Sequence, residues 1–328
     1  MSDRQAAHPY ERLTPDLILD AVESTGLRCD GRLLPLNSFE NRVYQVGVED
    51  SSPVVAKFYR PERWSDQQIL EEHAFALELV QAEIPVVAPI AHEGCTLHEH
   101  RSFRFALFPK QRGRAPDLET QDTIVWMGRF LGRIHAVGAV RPFIHRRGLD
   151  VASFGEQPSA FLLESGFIPP DLAEAYRTLV QHLLERLHSA FDLGFRRIRL
   201  HGDCHAGNVL WDDGPYFVDL DDSCMGPAVQ DLWMLLSGER EERERQLGWL
   251  LDGYFEFHEF DLRELRLIEP LRTLRMIHYA GWLGRRWDDP AFPAAFPWFN
   301  TQRYWQDHIL ALREQAAALD EPPLSLSR

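Results

Sequence analysis

The sequence predicts an α+β fold in two lobes: a strand-rich first third, a short connector near residue 109 and a mostly helical remainder. Three observations predict it. Alternating, β-branched segments crowd residues 36–58 and recur at Phe103–Phe108. A basic, Gly-containing stretch from Pro109 to Pro116 then breaks the pattern. Beyond it apolar residues return at helical spacing, starting with Ile124, Met127, Leu131 and Ile134. The boundary is placed after residue 108, which gives an N-terminal lobe of 1–108 and a C-terminal lobe of 109–328. A cleft is expected at the connector.

Each element has its own signal. Thr14-Pro15-Asp16 combines a capping hydroxyl, a proline at the first helical position and an acid for the helix dipole, and Gly26 is a plausible stop. "RVYQV" and "PVVAKFY" read as strands around the turn-like "EDSSP". Ser65 caps a helix through Val80, in which Leu70, Ala74 and Leu77 share a face. Gly128 and Gly132 lie within the next helix and permit close approach of a neighbour. Pro170 to Leu193 is a further helix, followed by the short β-like stretches "RIRLHG" and "YFVDLD". The remainder is helical apart from a Pro-aromatic interruption at 289–299, with Leu267, Leu271 and Leu274 on a core face. Residues 320–328 read as a loose tail.

Composition narrows the function classes. The profile is that of a globular protein, 45% hydrophobic and 26% charged. A set of 35 basic against 50 acidic residues leaves a net charge of −15, which repels nucleic-acid phosphates and anionic lipid. No nucleic-acid partner is expected. An anionic ligand would need a local cationic site and a metal. Residues 1–13 lack the apolar region of a secretory signal, and no uncharged run is long enough to span a bilayer, so a cytoplasmic, non-inserted protein is expected. Cys29, Cys95, Cys204 and Cys224 are too scattered for a disulfide framework or a zinc site.

The chemistry concentrates in "LHGDCHAGNVLW" at 200–211 and "YFVDLDD" at 216–222. Asp203, Asn208 and Asp219 are polar residues carried by loops between apolar strands. Alone, Asp203 would be an ordinary turn former. The ordered set of a carboxylate, an amide five residues on and a second carboxylate after eleven more is what phosphoryl transfer requires. One group orients an acceptor hydroxyl, and two oxygen donors hold magnesium. His201 and His205 lack a third zinc ligand, so His201 is read as a hydrogen-bonding brace. Lys57, on a strand, can aim an ammonium at phosphates when paired with an acid of the following helix; Glu71, Glu72 and Glu78 are the candidates, with Glu72 favoured. Cys204, beside Asp203 among acids, is expected to be an inert thiol. Trp282, Arg285, Arg286 and Trp287 are candidates for the wall of the acceptor side.

These strings resemble a known group. "HGDCHAGN…VDLD" with "LGRIH" upstream (Leu131 to His135) is similar to the aminoglycoside phosphotransferase/choline kinase-like superfamily. The fuller "LNSFENRVYQV", "VAKFYRPERW", "LHGDCHAGN" and "GPAVQDLWMLL" resemble the stress response kinase A family, from about Leu34 to the C-terminal tail. The resemblance implies a bilobed protein-kinase-like fold and a cytoplasmic serine/threonine protein kinase that uses ATP and Mg2+ on protein substrates in the response to envelope and other stress; separately, a monomer is expected. The alternative is a small-molecule hydroxyl kinase, for which Asp221, Asp222 and Glu269 could furnish an acidic acceptor pocket. Carried over by residue, Asp203 and Asp219 are catalytic, Asn208 and Asp219 hold magnesium, Ser38, Lys57 and Glu72 bind the nucleotide, and Asp231 braces the catalytic region. The chain departs from ordinary protein kinases in having "NSFEN" where a GxGxxG would cover the phosphates. It also lacks HRD, DFG and APE strings, so activation-loop control is not expected.

Overall fold

The computed structural model describes residues 8–326, and its chain forms two compact units. The first comprises Met1–Pro116 together with Ile144–Arg146 and Gly207–Asp222, and the second holds the remainder. Residues 327 and 328 of the expected tail lie outside the described residues.

In the first unit, α1 (Pro15–Glu23) is capped by Thr14, whose Oγ1 accepts from Leu17 N at 3.3 Å. Five antiparallel strands follow: β1 (Cys29–Pro35), β2 (Arg42–Val48), β3 (Val54–Phe58), β4 (His98–His100) and β5 (Phe103–Pro109), in the order β1-β2-β3-β5-β4. Alternation divides β3 between two cores. Val54, Ala56 and Phe58 join Ile18, Ala21 and Val22 of α1, while Val55 and Tyr59 pack with Ile69 of α2 (Asp66–Gln81). Lys57 follows the second parity, so the sheet sends its side chain to the α2 face.

Ser65 and Gln68 form a reciprocal capping box at the start of α2. The face that α2 buries differs from the one expected. Leu70 is 45% exposed and Ala74 is exposed, whereas Ile69, Glu72, His73, Phe75, Ala76 and Leu79 are buried. Two polar residues occupy the core-facing stripe because both are paired, and they hide its period. His73 sits between Tyr59 Oη at 2.7 Å and Thr96 Oγ1 at 2.8 Å.

The first unit is completed by residues much later in the chain. The hairpin of β7 (Val209–Trp211) and β8 (Pro215–Phe217) docks by its backbone, Phe217 N donating to Pro85 O and Val87 N to Phe217 O, each at 2.9 Å. Trp211 N donates to Arg114 O at 2.7 Å. These bonds carry the unit past residue 108 to Pro116 and draw in Gly207–Asp222.

The second unit is largely helical: α3 (Gln121–Gly138), α4 (Gln157–Glu164), α5 (Pro170–Asp192), α6 (Gln230–Trp233), α7 (Arg240–Tyr254), α8 (Ile268–Arg285), α9 (Ala291–Ala295) and α10 (Gln302–Ala318), with the short pair β6 (Ile198–Leu200) and β9 (Cys224–Gly226). The stripe of Ile124, Met127, Leu131 and Ile134 is buried. Gly128 lets α3 meet α7, since a Cβ there would lie 1.9 Å from Leu250 O. The Pro-aromatic interruption folds inward as α9, with Phe292 and Phe299 fully buried. Trp282 packs edge-on against Phe292 at 5.0 Å, and Trp287 lies 5.1 Å from Phe299. Residues 320–326 are not loose: Arg240 donates to Pro322 O and Pro323 O at 2.9 and 2.7 Å, and Leu324 is buried.

Candidate functional site

In the strand-rich unit the buried charges form one network. Lys57 Nζ donates to Asp219 Oδ1 at 2.8 Å and lies 3.3 Å from Asp221 Oδ1. Asp221 is buried and also receives Arg63 Nη1 and, at 3.2 Å, Asn41 Nδ2. Burial works against an ionised Asp221, but Lys57, Arg63 and Arg146 outweigh it and hold its carboxyl below the usual range. Burial likewise opposes charge on Lys57, and Asp219, Asp221 and Glu72 outweigh it, so the ammonium stays charged.

Glu72 and Lys57 reach the same face, yet the close ion pairs are distributed otherwise than expected. Glu72 Oε2 lies 3.4 Å from Arg146 Nη2, and Lys57 bonds the aspartates. The reason is local: Arg146 is pinned beside α2, donating to Gln68 O at 2.8 Å and Asp221 O at 2.7 Å. Glu71 fixes that segment, its carboxylate accepting from the N–H groups of Ile144, His145 and Arg146 at 2.6–2.9 Å. Burial pushes Glu72 up to about 7 against the pull of Lys57 and Arg146.

The hairpin explains the eleven-residue spacing. Val209 pairs with Phe217, and the ladder extends one step further as Val218 N donates to Asn208 O at 3.0 Å. Asn208 and Asp219 therefore end adjacent strands at the same end of the hairpin. Asp219 has φ +58°, a left-handed conformation unusual for a non-glycine residue and recurrent at functional sites. Its carboxylate is 51% exposed. An amide oxygen and an open carboxylate are a donor set suited to a hard divalent cation, which takes few protein ligands when phosphates and water supply the others. Among the described residues no group of three or more His, Cys, Asp or Glu could hold a metal. Ser38 is half-buried in the loop between β1 and β2. That loop is fastened by Asn41, whose Oδ1 accepts from Arg60 N at 3.1 Å while its amide reaches Asp221.

In the helical unit, the segment after β6 turns at Gly202, with φ +89°. Asp231, fully buried on α6, accepts from His201 N at 2.7 Å and Gly202 N at 2.9 Å, one with each carboxylate oxygen. His135 of "LGRIH" lies 3.1 Å from the same carboxylate and 2.9 Å from Tyr254 Oη. Gln230 Nε2 donates to Gly202 O at 3.0 Å. His201 thus enters this brace through its backbone N–H. Asp203 Oδ1 accepts from Arg275 Nη1 at 2.5 Å, and His205 Nε2 is 3.4 Å from Oδ2. Burial would raise the Asp203 carboxyl, but the hydrogen bond from His205 and the charge of Arg275 hold it well below the usual range. Cys204 is fully buried, which raises its thiol far above the ordinary value and keeps it unreactive.

Comparison with known proteins decides the family. The sequence pattern of the phosphotransferase enzyme family (APH) matches residues 32–268. Stress response kinase A of Escherichia coli (strain K12) is 48% identical over 322 residues, 98% of each chain. The chain belongs to the stress response kinase A family. A Salmonella typhimurium relative named serine/threonine protein kinase RdoA is 47% identical over 321 residues, again 98% of each chain. Solved structures share the fold: an amicoumacin kinase (TM-score 0.68, 19% identity, 88% of this chain and 92% of that one) and a microcompartment-associated aminopropanol kinase (TM-score 0.69, 16% identity, 94% and 99%). This member of the family is a phosphotransferase with a kinase-like α+β fold. No helix among the described residues is long and apolar enough to cross a membrane.

Sequence reasoning missed the arginines of this family member. Arg63, Arg146 and Arg275 each meet a carboxylate distant in the chain, and no local spacing announces them. It also read three acids as open to a cationic acceptor. Asp221 and Asp222 are instead held by Arg63, and Glu269 by Arg243 at 3.4 Å and Arg272 at 3.1 Å. Trp282 and Arg286 stack in the aromatic cluster of the helical unit, and Arg285 lies over Phe161.

Proposed function

We propose that this chain is an ATP- and Mg2+-dependent serine/threonine protein kinase of the cytoplasm, acting in a bacterial stress response. In this reading Asp203 orients the acceptor hydroxyl and takes its proton. Lys57 draws on the phosphates of ATP, with Ser38 in the covering loop and Glu72 sustaining the charge balance behind it. Asn208 and Asp219 hold the magnesium, which when bound neutralises charge on the phosphates. Asp231 keeps the backbone before Asp203 in place.

The observation that carries the choice of acceptor is Arg275. A guanidinium 2.5 Å from Asp203 already balances the charge of its carboxylate, which takes away the anionic partner that an ammonium-bearing small acceptor such as an amino alcohol or an aminoglycoside would use. The hydroxyl of a neutral polypeptide segment suits it. The family relative named as a serine/threonine protein kinase supports the same choice.

The test is to incubate γ-labelled ATP, the protein and a cell lysate, then separate macromolecular from small-molecule label. The expected result is label on protein serine and threonine that disappears with Asp203→Asn. Label confined to a small molecule would replace this reading with the small-molecule kinase.

A further inference from the structure

Outside these loops, the helical unit has a partly open cavity of about 180 Å³. Arg186 of α5, Arg240 and Arg243 of α7 and Arg266, just before α8, line it, and Glu269 and Glu321 are the acids present. Two further carboxylates stand beside the lining, Asp320 at 2.5 Å from Arg186 and Glu244 at 3.0 Å from Arg240, so the four guanidinium groups face four acids and the cluster is balanced in charge.

The arginines are held in place yet incompletely used. Arg186 donates to Ala316 O and Asp320, Arg240 to the carbonyls of Pro322 and Pro323, Arg243 to Glu269, and Arg266 to Gly194 O. The Nε–H groups of Arg243 and Arg266 are buried and meet no acceptor among the described residues. Buried donors are normally satisfied, and a guanidinium edge matches the paired oxygens of a phosphate. The volume is below the roughly 300–1,000 Å³ of pockets for drug-sized ligands, so a nucleotide is too large and a single oxyanion group is the right size.

We propose that this cavity binds a small phosphate-type oxyanion through Arg243 and Arg266, with residues 318–324 as its roof. Nothing in the reading of the transferase residues depends on it.

The experiment measures thermal unfolding and calorimetric binding of the full chain with potassium phosphate, against potassium chloride at matched ionic strength. The same titrations are run on Lys57→Met, which weakens any phosphate binding among the nucleotide residues, and on the double variant Arg243→Gln/Arg266→Gln. Saturable stabilisation by phosphate is expected in the wild type and in Lys57→Met, and sulfate should replace phosphate. The double variant should lose the response, and Arg266→Gln alone should raise the phosphate dissociation constant at least fivefold while keeping a wild-type circular dichroism spectrum. A phosphate response equal to that of chloride, one unchanged in Arg266→Gln, or one abolished by Lys57→Met would each overturn the proposal.

Discussion

Lys57 and Asp219 form an ion pair of 2.8 Å between a lysine side chain 8% exposed and a carboxylate 51% exposed. The ammonium is fixed from behind by the buried Asp221, and its outer partner is the residue with access to solvent. Lys57→Ala removes a charge-assisted contact worth about 1.5–3 kcal/mol, so the dissociation constant for Mg-ATP should rise roughly 10–100-fold. Calorimetry checks this, and wild-type affinity would detach Lys57 from the nucleotide. Asn208→Ala should raise the magnesium concentration needed for half-maximal turnover while leaving the melting temperature close to wild type.

Asp203 should matter for turnover far more than for nucleotide binding. Asp203→Asn should lose about 10²–10⁴-fold in kcat with Mg-ATP affinity near wild type. Because His205 and Arg275 depress the carboxyl, Asp203 stays ionised to unusually low pH. Its stabilising contribution is complete above the ordinary carboxylate range and is lost only as pH falls through the lower folded-state value. Arg275→Met removes one of the two restraints, so the acidic limb of kcat/KM should move to higher pH. An unmoved limb would show that another group controls it.

Glu72 has the opposite sign. Its folded-state value of about 7 is above the ordinary one, so the protonated form favours folding, and that contribution is lost as pH rises through 7. Glu72→Gln imitates the protonated acid. Between about pH 4.5 and 7 the stability difference between variant and wild type should shift toward the variant by roughly 1.4 kcal/mol per pH unit. Chemical denaturation at pH 5 and pH 8 reads this directly, and a difference independent of pH would mean that Glu72 remains ionised throughout.

Glycine has unequal roles on the two facing helices. At Gly128 a Cβ would fall 1.9 Å from the Leu250 carbonyl oxygen, and Gly128→Ala should cost about 3 kcal/mol or more because two backbones must part. At Gly248 a Cβ meets nothing within 4 Å, so Gly248→Ala should stabilise by up to about 1 kcal/mol through helix propensity. Equal melting temperatures for the two variants would contradict this packing.

What could be read in advance was what local pattern encodes. The stripe on α3 and its glycines, the caps at Thr14 and Ser65, and the order of Asp203, Asn208 and Asp219 are properties of short windows. Asn208 and Asp219 come together because eleven residues suffice for a tight hairpin. Other features depend on residues remote in sequence. The buried face of α2 carries Glu72 and His73, which only their partners Arg146, Tyr59 and Thr96 make tolerable in a core. Strand β1 was missed because "CDGRLLP" has charges and a glycine where alternation should be, and it is mostly exposed along its length. The tail was read as loose because its anchors, Arg240 and Glu244, are about eighty residues upstream.

The discontinuous first unit has a consequence for biosynthesis. As the chain leaves the ribosome, its five strands and α2 emerge long before the hairpin that pairs with Val87 and Pro85. Until residue 222 is translated, Lys57 and Arg63 lack the aspartates that neutralise them, and part of the backbone around Val87 lacks acceptor and donor. A nascent chain halted at 116 should therefore be open to proteases and dependent on chaperones, and one halted well beyond 222 should be protected. For this unit, completion of folding is timed by synthesis of residues 207–222, about ninety residues after its continuous part ends at Pro116.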